Sequence, residues 1–146
     1  MSRVARFTGK SEHSLDEKGR LVVPARYRER LGTGFIVSLA AADPCLVLYP
    51  LPEWDAFCRR LEEAPVKDAA FRNVVRHMLA NTEEVSCDAQ GRLLIPTGLR
   101  AEASIEREAV TVGALTHVEV WNPARFDALR PSKEDAIRVA AELGLY

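Results

Sequence analysis

"DEKGRLVVPARYRERL" occupies Asp16–Leu31, and "DAQGRLLIPTGLRAEA" occupies Asp88–Ala103. Both read Asp-x-x-Gly-Arg-Leu, two apolar residues and Pro, with an Arg four residues beyond the Pro. A shift of 72 positions places Asp16, Gly19, Arg20, Leu21, Pro24 and Arg28 on Asp88, Gly91, Arg92, Leu93, Pro96 and Arg100, identical at every one. Val22 and Val23 fall on Leu94 and Ile95. The same shift carries Leu46 and Leu48 onto Val118 and Val120, Tyr49 onto Trp121 and Trp54 onto Phe126, with a small length difference in the loop between. The chain is an internal duplication, and this decides its organisation.

Each copy reads as strand, turn, strand, short helix and two further strands. "DEKG" and "DAQG" carry turn chemistry: the Asp bonds backbone ahead of it, and the Gly accepts positive φ. Gly19 and Gly91 are therefore expected in left-handed backbone. "RLVV" and "RLLI" read as short apolar strands. Pro24 and Pro96 have no N–H for a ladder; they end those strands and suit the first helical position. "ARYRERLG" then reads as a helix closed by Gly32. "GFIVSL" with "CLVLYP", and "EAVTVG" with "HVEVWN", supply the next strand pairs. Trp54, Phe57, Cys58 and Leu61 recur at helical spacing up to the breaker Pro65, and Phe71, Val74, Val75, Met78 and Leu79 repeat the pattern in a second helix from about Asp68 to Ala80. A last helix is expected from Ser132, with Asp135 at capping-box spacing.

One copy is too small to bury a good core by itself, whereas two that interleave strands share one. The expected architecture is α+β: two β-rich halves about a pseudo-two-fold axis, with helices outside. The predicted segments are a first repeat over 10–53, a helical connector over 54–81, a second repeat over 82–125 and a helical tail over 126–146.

Apolar residues make up 47% of the 146 positions, enough for a buried core, and the net charge of −1 says nothing about nucleic acid. The distribution says more. Residues 1–30 hold eight basic side chains (Arg3, Arg6, Lys10, Lys18, Arg20, Arg26, Arg28 and Arg30) against four acidic ones, while residues 101–146 hold five against eight. A cationic surface can sit on a neutral protein. Cys45, Cys58 and Cys87 are odd in number and widely spaced, which fits buried reduced thiols rather than disulfides or a zinc site. No apolar leader is expected, and the longest nearly apolar stretch, Phe35–Ala42, is far too short to span a membrane.

Lys18 and Arg20 flank Gly19 in a turn, where side chains project and backbone can approach a ligand. Lys offers a point charge for phosphate; Arg offers a planar fork for phosphate or a guanine edge. The second copy presents Gln90 and Arg92, one charge fewer, so the halves are expected to differ in affinity. Arg20 and Arg92 can equally pin their turns by pairing with Asp16 and Asp88, and the two roles are compatible. Arg26, Arg28 and Arg30 read as a solvated helix surface. Tyr49 and Trp121 read as core or interface packing. The stripe Phe71, Val74, Val75, Met78 and Leu79 suits either an interface between protomers or packing within one. His13, His77 and His117 have no metal-ligand spacing. No catalytic or phosphate-cradling motif is present, so no enzyme, cofactor, metal or small-molecule substrate is expected.

The chain resembles the MraZ proteins, bacterial transcriptional regulators built from two SpoVT/AbrB-type repeats. The likeness rests on "DEKGRLVVPARYRERL", "CLVLYPLPEW" (Cys45–Trp54), "DAQGRLLIP" and "VEVWNPARF" (Val118–Phe126), and runs from about Phe7 to Phe126. The family's Asp-x-x-x-Arg signature occurs here as Asp16/Arg20 and Asp88/Arg92. The family's usual opening resembles "FRG"; this chain has "FTG" at Phe7–Gly9, with Arg6 adjacent. The resemblance implies a pseudo-dimeric swapped-hairpin barrel of AbrB type and assembly into homo-oligomeric rings. It implies binding of double-stranded DNA at short direct repeats in the promoter of the protein's own division and cell-wall gene cluster, in the cytoplasm at the nucleoid. The rival expectation is an AbrB-fold scaffold or an antitoxin-like module that binds a partner protein.

Overall fold

The computed structural model describes residues 6–145; Arg3 of the basic set and Tyr146 of the tail lie outside the described residues. The first repeat supplies β1 (Lys10–Ser14), β2 (Arg20–Val22), α1 (Ala25–Leu31), β3 (Phe35–Leu39) and β4 (Leu46–Pro50). Two connector helices follow, α2 (Leu51–Glu62) and α3 (Ala69–Ala80). The second repeat supplies β5 (Thr82–Val85), β6 (Arg92–Leu94), α4 (Thr97–Glu102), β7 (Glu108–Gly113) and β8 (Val118–Trp121). The tail adds α5 (Pro123–Asp127) and α6 (Lys133–Leu143).

The strands cross between repeats. β1 pairs with β7 of the other repeat, and β5 pairs with β3. The six-stranded sheet runs β1-β7-β8-β4-β3-β5, all antiparallel, and β2 and β6 form a separate two-stranded ribbon. Exchanging the repeats reverses the sheet order onto itself. The pseudo-dyad passes between β4 and β8, where Val47 faces Glu119, and between β2 and β6, where Leu21 faces Leu93. The barrel implied by the resemblance is not closed by these ladders, because β1 and β5 are sheet edges. β2 and β6 are three residues long, cut off by Pro24 and Pro96, and direct their bonds to each other rather than to those edges.

The core lies between the ribbon and the sheet. Leu21, Val23, Leu93 and Ile95 point inward from the ribbon, and Phe35, Val37, Leu46, Leu48, Val118 and Val120 meet them from the sheet. Tyr27 and Leu31 of α1 and Leu99 of α4 complete the cluster. The Tyr27 hydroxyl donates to the carbonyls of Thr8 and Gly9, at 2.8 and 2.9 Å. With Phe7 buried, this ties the "FTG" opening to the first repeat and leaves the Thr8 side chain exposed.

Several expectations shift by local chemistry. Pro24 and Pro96 stand one residue earlier than predicted, as extended caps before Ala25 and Thr97. The Pro24 carbonyl accepts from the amides of Tyr27 and Arg28, so the first turn forms without a side-chain cap. Asp68 and Ser132 do cap α3 and α6 through Phe71 N–H (2.9 Å) and Asp135 N–H (3.0 Å). Helix α5 was not legible from periodicity, although Asn122 followed by Pro123 is a start signal. The α3 stripe divides: Met78 is buried and Phe71 and Val75 half-buried, while Val74 and Leu79 face solvent. The repeat-matched aromatics pair alike, Tyr49 on Trp54 at 5.6 Å and Trp121 on Phe126 at 6.0 Å. Cys45 is buried, whereas Cys58 and Cys87 are only half-buried. No described helix is long and apolar enough to cross a membrane.

Candidate nucleic-acid interface

The two signature turns have one geometry. Gly19 N–H donates to the Asp16 carbonyl at 2.9 Å, and Asp16 N–H donates to the Arg20 carbonyl at 2.9 Å. Gly91, Asp88 and Arg92 repeat both bonds at 2.9 Å. Asp16 Oδ1 accepts from the amides of Lys18 (3.0 Å) and Arg20 (2.9 Å), while Oδ2 takes Arg20 Nε at 2.6 Å. Asp88 does the same with Gln90 (3.0 Å), Arg92 (2.8 Å) and Arg92 Nε (2.7 Å). Gly19 and Gly91 sit at φ +82° and +78°, as their turn chemistry requires.

These bonds set the electrostatics. The amide of Arg20, and then its side chain, hold the Asp16 carboxyl below the usual carboxylate range; Arg92 does the same for Asp88. Each Asp stays ionised at neutral pH and occupies the Nε edge of its arginine. In the first repeat Arg20 Nη1 and Nη2 have no hydrogen-bond partner among the described residues, which leaves that edge open for a bidentate contact. In the second repeat, Arg92 Nη2 also touches Gln90 Oε1 at 3.4 Å.

The ribbon brings the two arginines together. Arg20 faces Leu94 and Val22 faces Arg92 across the β2–β6 ladder, so Arg20 and Arg92 are diagonal neighbours about 7–8 Å apart. Alternation turns Leu21, Val23, Leu93 and Ile95 into the core and leaves Arg20, Val22, Arg92 and Leu94 on the outer face. Lys18 and Gln90 sit in the turns at opposite ends of this face. The amides of Ile95 and Val23 donate to the carbonyls of Gly19 and Gly91, at 3.2 and 2.9 Å, stitching each turn to the other repeat's strand.

A second crossing supports the turns. The Arg100 guanidinium lies against Gly19, and that of Arg28 against Gly91; a β-carbon would fall 2.7 Å from Arg100 Cζ or 2.2 Å from Arg28 Nη1. Both Nε atoms are buried without a hydrogen-bond partner in the described residues. Arg28 is therefore not part of a solvated helix surface. Arg26 is also engaged, on Ser11 Oγ at 2.8 Å and over the Tyr27 ring, and Arg30 binds the Arg6 carbonyl. The pairing of Arg28 with Arg100 was visible in the duplication; what they cover was not. Val22 and Leu94, in segments that read only as short apolar strands, stand exposed beside the arginines, on the face where period-two alternation from Arg20 and Arg92 puts them.

The remaining singled-out groups lie elsewhere. His13 bonds Thr111 Oγ1 at 2.8 Å, His77 faces Glu102 at 3.7 Å, and His117 faces Glu119 at 3.7 Å. Trp121 is buried, and Tyr49 stacks with Phe57 at 5.6 Å; neither ring is on the ribbon face.

A sequence-family model described as "MraZ protein, putative antitoxin-like" matches residues 6–77 and 78–142, one match for each half of the duplication. The chain belongs to the MraZ family. Among curated MraZ-family relatives, one from Pelotomaculum thermopropionicum is 44% identical over 115 residues, covering 79% of each chain. One from Pediococcus pentosaceus is 39% identical over 136 residues, 93% of this chain and 94% of the relative. One from Clostridium acetobutylicum is 36% identical over 142 residues, 95% and 99% respectively. All three are named "Transcriptional regulator MraZ". The division of the MraZ-family match, between residues 77 and 78, falls within the last turn of α3, just before the second set of strands begins at Thr82.

Proposed function

We propose that this chain is a DNA-binding transcriptional regulator, not an enzyme, whose ribbon face reads short direct repeats in double-stranded DNA. The observation that carries the reading is the placement of Arg20 and Arg92. Each is held at Nε by its own Asp, each turns its Nη groups away from that Asp (Arg92 Nη2 toward Gln90 Oε1 at 3.4 Å), and both stand on one exposed two-stranded ribbon. A ribbon of this width fits the B-DNA major groove, where arginine pairs with guanine O6 and N7. Lys18 adds a phosphate contact that Gln90 lacks. The regulators named among the relatives favour the same role.

The strand exchange between repeats supports reading the fold as a pseudo-dimeric swapped-hairpin arrangement of AbrB type. One protomer offers few cationic contacts, and affinity for DNA at physiological salt grows with the number of phosphates neutralised. Several copies joined in a ring would multiply that number, and linked sites raise avidity by about 10²–10⁴. Val74 and Leu79, exposed on α3, are the residues we assign to contacts between copies. The target is the promoter of the protein's own division and cell-wall cluster, which places the protein in the cytoplasm at the nucleoid.

The test is anisotropy of a labelled duplex from upstream of the protein's own gene, titrated across salt concentrations. Binding should fall steeply with salt, weaken in Arg20→Ala and Arg92→Ala, and exceed binding to a scrambled duplex. Binding without salt dependence, or unaffected by both substitutions, would overturn the reading in favour of a protein-binding module.

A further inference from the structure

We infer that Val22 and Leu94 are specificity residues that read thymine 5-methyl groups in the major groove, beside the base pairs held by Arg92 and Arg20. The inference rests on the DNA reading above. The two side chains are 52% and 54% exposed, yet every other aliphatic of the ribbon, Leu21, Val23, Leu93 and Ile95, is at most 1% exposed. The exposure is symmetric about the pseudo-dyad, and the ladder fixes each aliphatic directly opposite an arginine of the other repeat. Residues opposite each other on one face have β-carbons about 4.5–5.5 Å apart, so an aliphatic and an arginine reach neighbouring base pairs together.

The chemistry selects the ligand. In the major groove guanine offers two acceptors to an arginine fork, and thymine offers a methyl group that only an apolar side chain complements. The minor groove has no such methyl. A checkerboard of two guanidinium forks and two aliphatics therefore matches guanine and thymine at adjoining steps. A non-specific phosphate-binding surface gains nothing from exposed aliphatics. The ribbon is rigid, since its inner residues are locked in the core, so each aliphatic is held in place before DNA arrives. Val22, branched at Cβ, has a stiff χ1; Leu94 has an additional rotatable bond, so the contact made by Val22 should be the more discriminating.

The test replaces every thymidine of the upstream duplex with deoxyuridine, which removes only the methyl groups, and measures affinity for the full chain by anisotropy. Wild type should lose about fourfold for each buried methyl contact. Val22→Ala and Leu94→Ala should bind the thymidine duplex more weakly and respond less to uracil. Two double-mutant combinations, Val22→Ala with Arg92→Ala and Leu94→Ala with Arg20→Ala, should be non-additive. Equal wild-type affinity for both duplexes, with Arg20→Ala still weakening binding, overturns the methyl reading and leaves the DNA reading intact. Failure of both duplexes to bind overturns both readings. A change in assembly mass by light scattering in Val22→Ala or Leu94→Ala, with uracil sensitivity unaltered, makes the patch a contact between copies and likewise overturns the proposal.

Discussion

Arg100 lies across Gly19, the turn glycine of the opposite repeat, and Arg28 lies across Gly91 in the same way. Each signature turn is thus shaped by its own Asp and covered by an arginine that arrives from the other half of the duplication. The two halves do not fold as separate binding units; each completes the other's turn.

Gly19→Ala and Gly91→Ala should each destabilise the fold. Positive φ costs an L-residue about 1–2 kcal/mol, and the new β-carbon must also displace a guanidinium. Coupling should be crossed: Gly91→Ala interacts with Arg28→Ala and Gly19→Ala with Arg100→Ala, while Gly19→Ala and Arg28→Ala add independently. Urea unfolding of the single and double variants measures this, and coupling within a repeat rather than across repeats would contradict it.

Arg20→Ala should weaken operator binding by about 1–3 kcal/mol and exceed the effect of Arg92→Ala, because Lys18 has only the neutral Gln90 as its counterpart. Gln90→Lys should raise affinity at low salt and steepen the salt dependence by about one unit of slope, with Lys18→Gln doing the reverse. Equal effects of the two arginine substitutions would show that the turns contribute alike despite the charge difference.

Asp16 and Asp88 titrate below their ordinary range because the amides and side chains of Arg20 and Arg92 bond the ionised form. A depressed folded value means that the contribution to stability is present above the ordinary carboxylate value and is lost as pH falls through the folded one. Both turns should therefore be intact at neutral pH and loosen only in acid, below about pH 4. Carboxyl carbon shifts followed by NMR should give midpoints for both residues lower than in the urea-denatured chain; a midpoint at or above the denatured value would contradict the assignment.

Leu21→Ala should cost about 2–5 kcal/mol, since Leu21 is 1% exposed at the dyad of the ribbon. Its neighbour Val22 faces the other way, and Val22→Ala should change stability by at most about 0.5 kcal/mol. Thermal unfolding of the pair checks that the outer face is available for binding rather than for folding.

The duplication, the turn chemistry and the strands either side of it were all legible in the chain, because each is a local consequence of residue type and spacing. Asp and Gly at fixed offsets make the turn, and proline ends a ladder wherever it falls. The signature residues Asp16, Gly19, Arg20, Asp88, Gly91 and Arg92 could therefore be named before any fold was known. Which repeat each strand pairs with could not. β1 and β5 carry weak, similar patterns, and only the complete arrangement of six strands decides that each joins the other half's sheet. The same holds for Arg28 and Arg100. On its short helix Arg28 reads as a solvated charge, and only packing across the pseudo-dyad brings the two guanidinium groups onto the opposite glycines. Val22 and Leu94 carry the same lesson: hydrophobicity suggests burial and alternation sets each on its own arginine's face, but only the pairing of β2 with β6 and the packing of their other face on the sheet put them outside, opposite Arg92 and Arg20.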